Sequence, residues 1–252
     1  MNNPTNNLCL LDRTDAVATL TLNRPDARNA LSIDLLDALS NRLDEVAQAD
    51  NVNAVILAGA GRAFCAGMDL KAVLDEPGAP AQLLTRIANV TLKLRALPMP
   101  TIARVNRAAI GGGCGLMCVC DFAVTHDDAK IGYPEVDLGV CPAVVAPWLV
   151  RKVGAGVARR VLLAGGTMSG TRAHELGLVT SLAPSDSLDE EVRNLAERIA
   201  SGGPCALRAT KEWLNELDGS TLAEQVNRGA LISTEVVTSD EARASLSKAF
   251  SR

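Results

Sequence analysis

Residues 107–121 read Arg107-Ala-Ala-Ile-Gly111-Gly112-Gly113-Cys114-Gly115-Leu-Met-Cys118-Val-Cys120-Asp121. This stretch decides the fold. An apolar, strand-like segment (101–105) runs into three adjacent glycines, and an apolar, helix-like segment (112–120) follows. Glycines at such a junction let the backbone approach a neighbour with no side chain in the way. The first turn of the following helix leaves N–H groups unpaired, with the positive end of the helix dipole beside them. Two readings follow from the residues alone. One is a tight turn with close helix–strand packing. The other is a seat for an anion, or for an oxygen that becomes anionic during a reaction.

Working outward, the chain alternates strands and helices before turning helical. Strands are predicted at 8–11 and 16–22, 54–58, 101–105, 121–125, 129–132 and 178–182. Helices are predicted from Ser32, as N-cap, to 49, then at 81–96, 112–120, 187–200, 204–217, 221–234 and 239–250. This order implies an α/β fold with a helical tail. The tail helices carry apolar faces (Leu222, Val226, Leu231, Val236, Val237) that suit packing on the same chain or on a neighbour.

A second small-residue loop, Arg62-Ala-Phe-Cys65-Ala66-Gly67-Met68-Asp69-Leu70-Lys71, follows the 54–58 strand. The preceding Gly59-Ala-Gly61 invites a dinucleotide-binding reading, but the third glycine of that fingerprint falls at Phe64. There is no P-loop and no G-x-S-x-G elbow. Two loops, each placed after a buried strand, are able to offer one N–H apiece to a single oxygen. That is the geometry of an oxyanion hole.

Composition narrows the classes. The chain has 252 residues, 48% of them apolar but only 2% aromatic, and its net charge is −4. The core is therefore built of Ala, Val, Leu and Ile. With neither a basic stripe nor stacking aromatics, a nucleic-acid partner is not expected. No run reaches the roughly 18 apolar residues of a membrane span. Residues 1–7 do not resemble a secretory signal. Seven cysteines, an odd number, suit free thiols in a reducing compartment, and a cytoplasmic protein is expected. Cys114, Cys118 and Cys120 read as core thiols, because they lack metal-ligand spacing and a nearby histidine. No metal is expected, and His126 and His174 read as structural or surface residues.

Four ordered segments resemble the crotonase superfamily, the enoyl-CoA hydratase/isomerase family. They are Asn23-Arg24-Pro-Asp-Ala-Arg28-Asn29-Ala30-Leu31-Ser32, Ala63 to Lys71, Gly111 to Gly115 with Cys120-Asp121, and Tyr133-Pro134-Glu135-Val136-Asp137-Leu138-Gly139. A weaker match is Ala173-His174-Glu175-Leu176-Gly177-Leu178-Val179. The resemblance implies a spiral of repeated ββα units over about residues 1–190. It also implies a C-terminal helical region, 191–252, that packs on the core and on neighbouring subunits in a homotrimer or a hexamer of two trimers. The substrate would be an acyl-CoA thioester, with coenzyme A part of the substrate and no separate cofactor.

By position, the resemblance makes the Met68 and Gly112 N–H groups the oxyanion hole and Glu135 the acid/base. It assigns coenzyme A to the loop around Arg28 and Ala30 and to the backbone of Ala66, Asp69, Leu70 and Lys71. One position departs from the pattern. Hydratases of this family hold water between two glutamates, and the first of these falls at Gly115 here. Hydration of a 2-enoyl thioester is the first expectation, with Asp137 or Cys141 as candidates to help Glu135. Double-bond isomerisation by a single base, or a non-catalytic CoA-binding role, are the alternatives.

Overall fold

A computed structural model describes residues 7–70, 76, 78–219 and 221–250. Strands β1 (Cys9–Thr14) and β2 (Val17–Leu22) form an antiparallel hairpin, closed at Asp15 with a positive φ of 51°. The first strand is longer than its sequence suggests, because its outward residues are polar. Helix α1 (Ile33–Ala47) starts where predicted, with the Ser32 side chain accepting the Leu35 N–H. Its buried stripe is Leu35, Leu36, Leu39, Leu43 and Val46, the spacing of one helix face.

From there the chain winds in repeats. Strand β3 (Ala54–Gly59) leads through a loop to α2 (Ala79–Ala96). Strand β4 (Thr101–Arg104), strand β5 (Ala108–Ile110) and α3 (Gly112–Val119) make the next turn. Strand β6 (Phe122–Thr125), strand β7 (Lys130–Gly132) and α4 (Ala146–Ala164) make the one after. In each of these two turns, one strand joins a six-stranded sheet and the other a three-stranded sheet. The orders are β1-β2-β3-β4-β6-β9 and β5-β7-β8, where β8 is Thr167–Ser169 and β9 is Ser181–Leu182. This is the expected ββα spiral.

Two strands were not foreseen: β5 and β8 have three residues each, too few for a period to show. The strand expected at 178–182 shrinks to its last two residues. The helical tail comprises α5 (Gly170–Glu175), α6 (Leu188–Ala200), α7 (Pro204–Leu217), α8 (Leu222–Val237) and α9 (Asp240–Phe250). Val226, Ala230, Val237, Ala242 and Leu246 of the last two helices are buried in the main core of the spiral itself. Leu231, expected on the same apolar face, is 72% exposed. No helix among the described residues is long and apolar enough to cross a membrane.

Candidate active site

Three chain segments run side by side. The Cys65 N–H donates to the Ala108 carbonyl, and the Ile110 N–H donates to the Cys65 carbonyl, each at 3.0 Å. Three residues beyond this bridge lie Met68 on one segment and Gly112 on the other. On its far side the loop is tied to residues 28–31. The Ala66 N–H donates to Arg28 O (3.0 Å), Leu31 N–H to Gly67 O (2.7 Å) and Asp69 N–H to Leu31 O (3.0 Å). A parallel bridge made this way turns the Met68 N–H away from Leu31, to the side where residues 110–112 lie. A Cβ added to Gly67 would stand 3.0 Å from the Ile110 carbonyl oxygen and 3.9 Å from the Gly112 nitrogen. Gly67, at φ +95°, is thus required by both conformation and space.

Neither the Met68 nor the Gly112 N–H has a hydrogen-bond partner among the described residues. Gly112 is the first residue of α3, where an N–H has no intrahelical acceptor. The glycine run combines close packing with an unpartnered N–H. Gly113 packs tightly, its missing Cβ leaving room for the Cys65 carbonyl, while Gly112 presents an open donor.

Glu135 opens a short 3₁₀ turn (Val136–Leu138), and its carbonyl accepts the Leu138 and Val140 N–H groups at 3.0 and 2.9 Å. Its carboxylate lies against the glycine run: a Cβ on Gly111 would stand 2.6 Å from Oε1. Oε2 is buried without a hydrogen-bond partner. Burial pushes the Glu135 carboxyl up to about 7, against a slight lowering by its own backbone N–H. Met68, Gly112 and Glu135 line one small cavity of ≈ 20 Å³, walled by Leu84, Ile87 and Val145. A void of that size holds about one water.

The departure at Gly115 has a structural counterpart. A Cβ on Gly115 would overlap the Val145 side chain, lying 2.9 Å from its Cβ and closer still to Cγ1. Val145 is 1% exposed, so the space a side chain at 115 needs is filled. Helix α8 fixes the segment that carries Val145. The Ser233 hydroxyl accepts the Val144 N–H (3.2 Å) and donates to the Cys141 carbonyl (2.8 Å). Gly229 lets the helix backbone close on Ala143.

Of the two candidate helpers, only Cys141 lines the cavity. Asp137 faces elsewhere: its Oδ2 accepts the Gly166 N–H at 2.7 Å in an exposed turn. The 3₁₀ geometry of 136–138 carries Asp137 off the Glu135 side, and sequence proximity does not reveal this.

The loop expected to meet coenzyme A is built around a group the sequence reading did not single out. Arg24 donates to the Ala30 carbonyl (2.6 Å) and to Asp69 Oδ2 (3.0 Å). The Asp69 carboxylate is therefore engaged in bracing the loop, and the Ala30 carbonyl is occupied. Asn29, fully buried at φ 55°, accepts the Arg24 N–H and donates to the Ala60 and Ala63 carbonyls. Arg28 is exposed, and its guanidinium has no partner among the described residues. The Ala66 N–H is bonded to Arg28 and the Leu70 N–H to Met68, so neither is open as it stands. Lys71 lies outside the described residues. His126 accepts the Arg107 N–H and His174 contacts the Val179 carbonyl, both structural roles.

A two-sheet ββα spiral, with a glutamate set against a glycine-rich helix start, defines a crotonase-type protein. The profile of the enoyl-CoA hydratase/isomerase family matches residues 12–250, and the chain belongs to that family. It is an enzyme of the enoyl-CoA hydratase or isomerase type. A Thermus thermophilus protein named putative enoyl-CoA hydratase is 38% identical over 219 residues, covering 85% of this chain and 87% of the relative. The 2,3-dehydroadipyl-CoA hydratase of Escherichia coli is 36% identical over 208 residues, covering 82% and 81%. Among solved structures, an enoyl-CoA hydratase/isomerase from Xanthobacter autotrophicus Py2 superposes with a TM-score of 0.88 at 28% identity, covering 97% of this chain and 96% of that one.

Proposed function

We propose that the chain hydrates a 2-enoyl-CoA thioester, or dehydrates the 3-hydroxy product, with Glu135 as its one catalytic carboxylate. The thioester oxygen sits between the Met68 and Gly112 N–H groups, which take up the enolate charge. A preformed donor of this kind contributes about 3–4 kcal/mol to the transition state. Glu135, ionised, removes the proton of the attacking water at C3, and the same carboxyl, now protonated, delivers a proton to C2. A carboxyl with its pKa near neutrality is matched to that double duty. Arg28, exposed and without a partner among the described residues, meets the CoA phosphates. The reading has the chain cytoplasmic and trimeric, or hexameric as paired trimers. The exposure of Leu163 (70%) and Leu231 (72%) supports an assembly that covers apolar surface.

The observation that carries the mechanism is the unpartnered Glu135 carboxylate against Gly111, beside two open N–H groups. The hydratase names of the relatives support the choice of reaction. The packing of Val145 over Gly115 favours a second reading, isomerisation. One base suffices to move a proton from C2 to C4 while the oxyanion hole holds the dienolate, and no second water-binding carboxylate is needed.

Incubation with crotonyl-CoA and with 3-hexenoyl-CoA in deuterated water separates the readings. Hydration adds water and bleaches the enoyl-thioester absorbance of crotonyl-CoA. Isomerisation leaves mass unchanged apart from deuterium and raises that absorbance from 3-hexenoyl-CoA. No turnover of either, with CoA-thioester binding intact, overturns both.

A further inference from the structure

The largest cavity described is not the catalytic one. It is a partly open cleft of ≈ 800 Å³ between the C-terminal end of α3, helix α4 and helix α7. That volume is in the range of small-molecule sites. Its walls are mostly apolar, with Pro100, Phe122, Leu207 and Leu214 among them. Set into those walls are four cations, Arg95, Arg151, Lys152 and Lys211, but only two carboxylates, Asp121 and Asp218.

The charge imbalance shows in the bonding. Arg95 and Arg151 both reach Asp218, and Arg95 and Lys211 both reach Asp121, so each carboxylate is shared between two cations. Burial and the charge of Arg95 together lower the pKa of Arg151. Lys152 donates only to the Cys120 and Asp121 carbonyls, at 2.9 and 3.2 Å. Lys211 is matched to Asp121 at 2.8 Å.

The second observation is independent of charge. Six buried side-chain polar atoms among the described residues lack a hydrogen-bond partner, and four of them belong to residues lining this cavity. Three are donors: Trp148 Nε1, Arg95 Nε and Arg151 Nε. Trp148 is 2% exposed. The fourth, Asn215 Oδ1, is an acceptor; a buried donor left unsatisfied costs about 1–3 kcal/mol, and three of them belong to side chains that line this cavity. A water supplies acceptors but no charge. A carboxylate supplies several acceptor sites together with the missing negative charge.

We infer that this cavity is a second ligand site, separate from the Glu135 cleft, for a monocarboxylate with an apolar tail. Its head group binds among Trp148, Arg95, Arg151 and Lys152, and its tail lies along Leu207 and Leu214. Nothing in this assignment depends on which reaction Glu135 performs.

The chain has two tryptophans, and Trp213 is 58% exposed, so Trp213→Phe leaves Trp148 as the only indole. Titrating that protein with sodium octanoate, and separately with 1-octanol, reads the site through Trp148 emission. Expected are a saturable change with octanoate, at least ten-fold weaker binding of octanol, and no competition by crotonyl-CoA. Adding Arg151→Gln, or Lys152→Gln should the first variant not fold, weakens octanoate at least ten-fold and leaves octanol unchanged. Any of four results overturns the inference. They are no saturable response, equal affinity for octanol, displacement by crotonyl-CoA, and unchanged octanoate affinity in the folded charge variants. The first result is also what a neighbouring subunit plugging the cavity would give.

Discussion

Helix α3 has a half-buried carboxylate at each end, and the two are treated in opposite ways. At its start, Glu135 lies against Gly111 with Oε2 unpartnered, and burial raises its pKa to about 7. Just past its end, Asp121 accepts from the Thr101 N–H and hydroxyl at 2.8 and 2.9 Å, and pairs with Lys211 and Arg95. Burial pushes Asp121 up as well, but those partners outweigh it and its pKa falls below the usual value. The contrast teaches how one helix serves two ends. A carboxylate given every partner holds the fold together. A carboxylate denied partners has its proton affinity raised, which is what the proposed acid/base role requires.

The contrast breaks most visibly at Glu135. Glu135→Gln keeps the shape and removes the proton carrier, so turnover should fall about 10²–10⁴-fold with the circular dichroism spectrum unchanged. Near-native turnover would remove Glu135 from the mechanism. The matching change at the other end is Lys211→Met, which strands Asp121 with Arg95 and Thr101. It should cost roughly 1–3 kcal/mol in urea unfolding, with kcat of the folded fraction little changed. A loss of activity without a loss of stability would reverse the roles assigned to the two ends.

Packing over Gly115 gives a smaller effect. Gly115→Ala places a methyl into Val145 and should destabilise by about 1–3 kcal/mol. Adding Val145→Ala should recover part of that loss, a coupling that a double-mutant cycle measures. Additive effects would show that Val145 does not own the space.

The pH dependence sharpens the same comparison. The folded-state pKa of Glu135 lies above its unfolded value, so the native state holds the proton more tightly. Stability relative to Glu135→Gln is therefore full below about pH 4.5 and falls as pH rises towards about 7. By pH 8 the glutamine variant should be the more stable by on the order of 1–3 kcal/mol in denaturant titrations. Asp121 contributes with the opposite sign, its stabilisation being lost as pH falls through its lowered pKa.

Much of this was legible in the sequence, and the illegible part has a physical pattern. Ser32 as a helix cap, the α1 stripe and the glycine run are local signals, written within a few residues of one another. Glu135, Met68 and Gly112 entered as a set through motif resemblance, and the cavity they line brings them together. Arg24 with Asp69 and Lys211 with Asp121 are pairs 45 and 90 residues apart, which no local pattern announces. The same holds for Val145 over Gly115: a missing side chain is visible in sequence, but what fills its place is not. Asp137 illustrates the converse, since two residues from Glu135 along the chain it faces an exposed turn.

The Cys65–Ala109 bridge has one further consequence. It sets the spacing of the 68 and 112 backbones through main-chain bonds, so the amide of residue 68 is placed there whatever its side chain. The Met68 side chain is meanwhile one wall of the cavity. On the proposed mechanism, substrate choice and charge stabilisation then reside in different atoms of one residue. If the proposed mechanism holds, a larger or smaller group at 68 changes what enters and leaves the charge-stabilising amide in place.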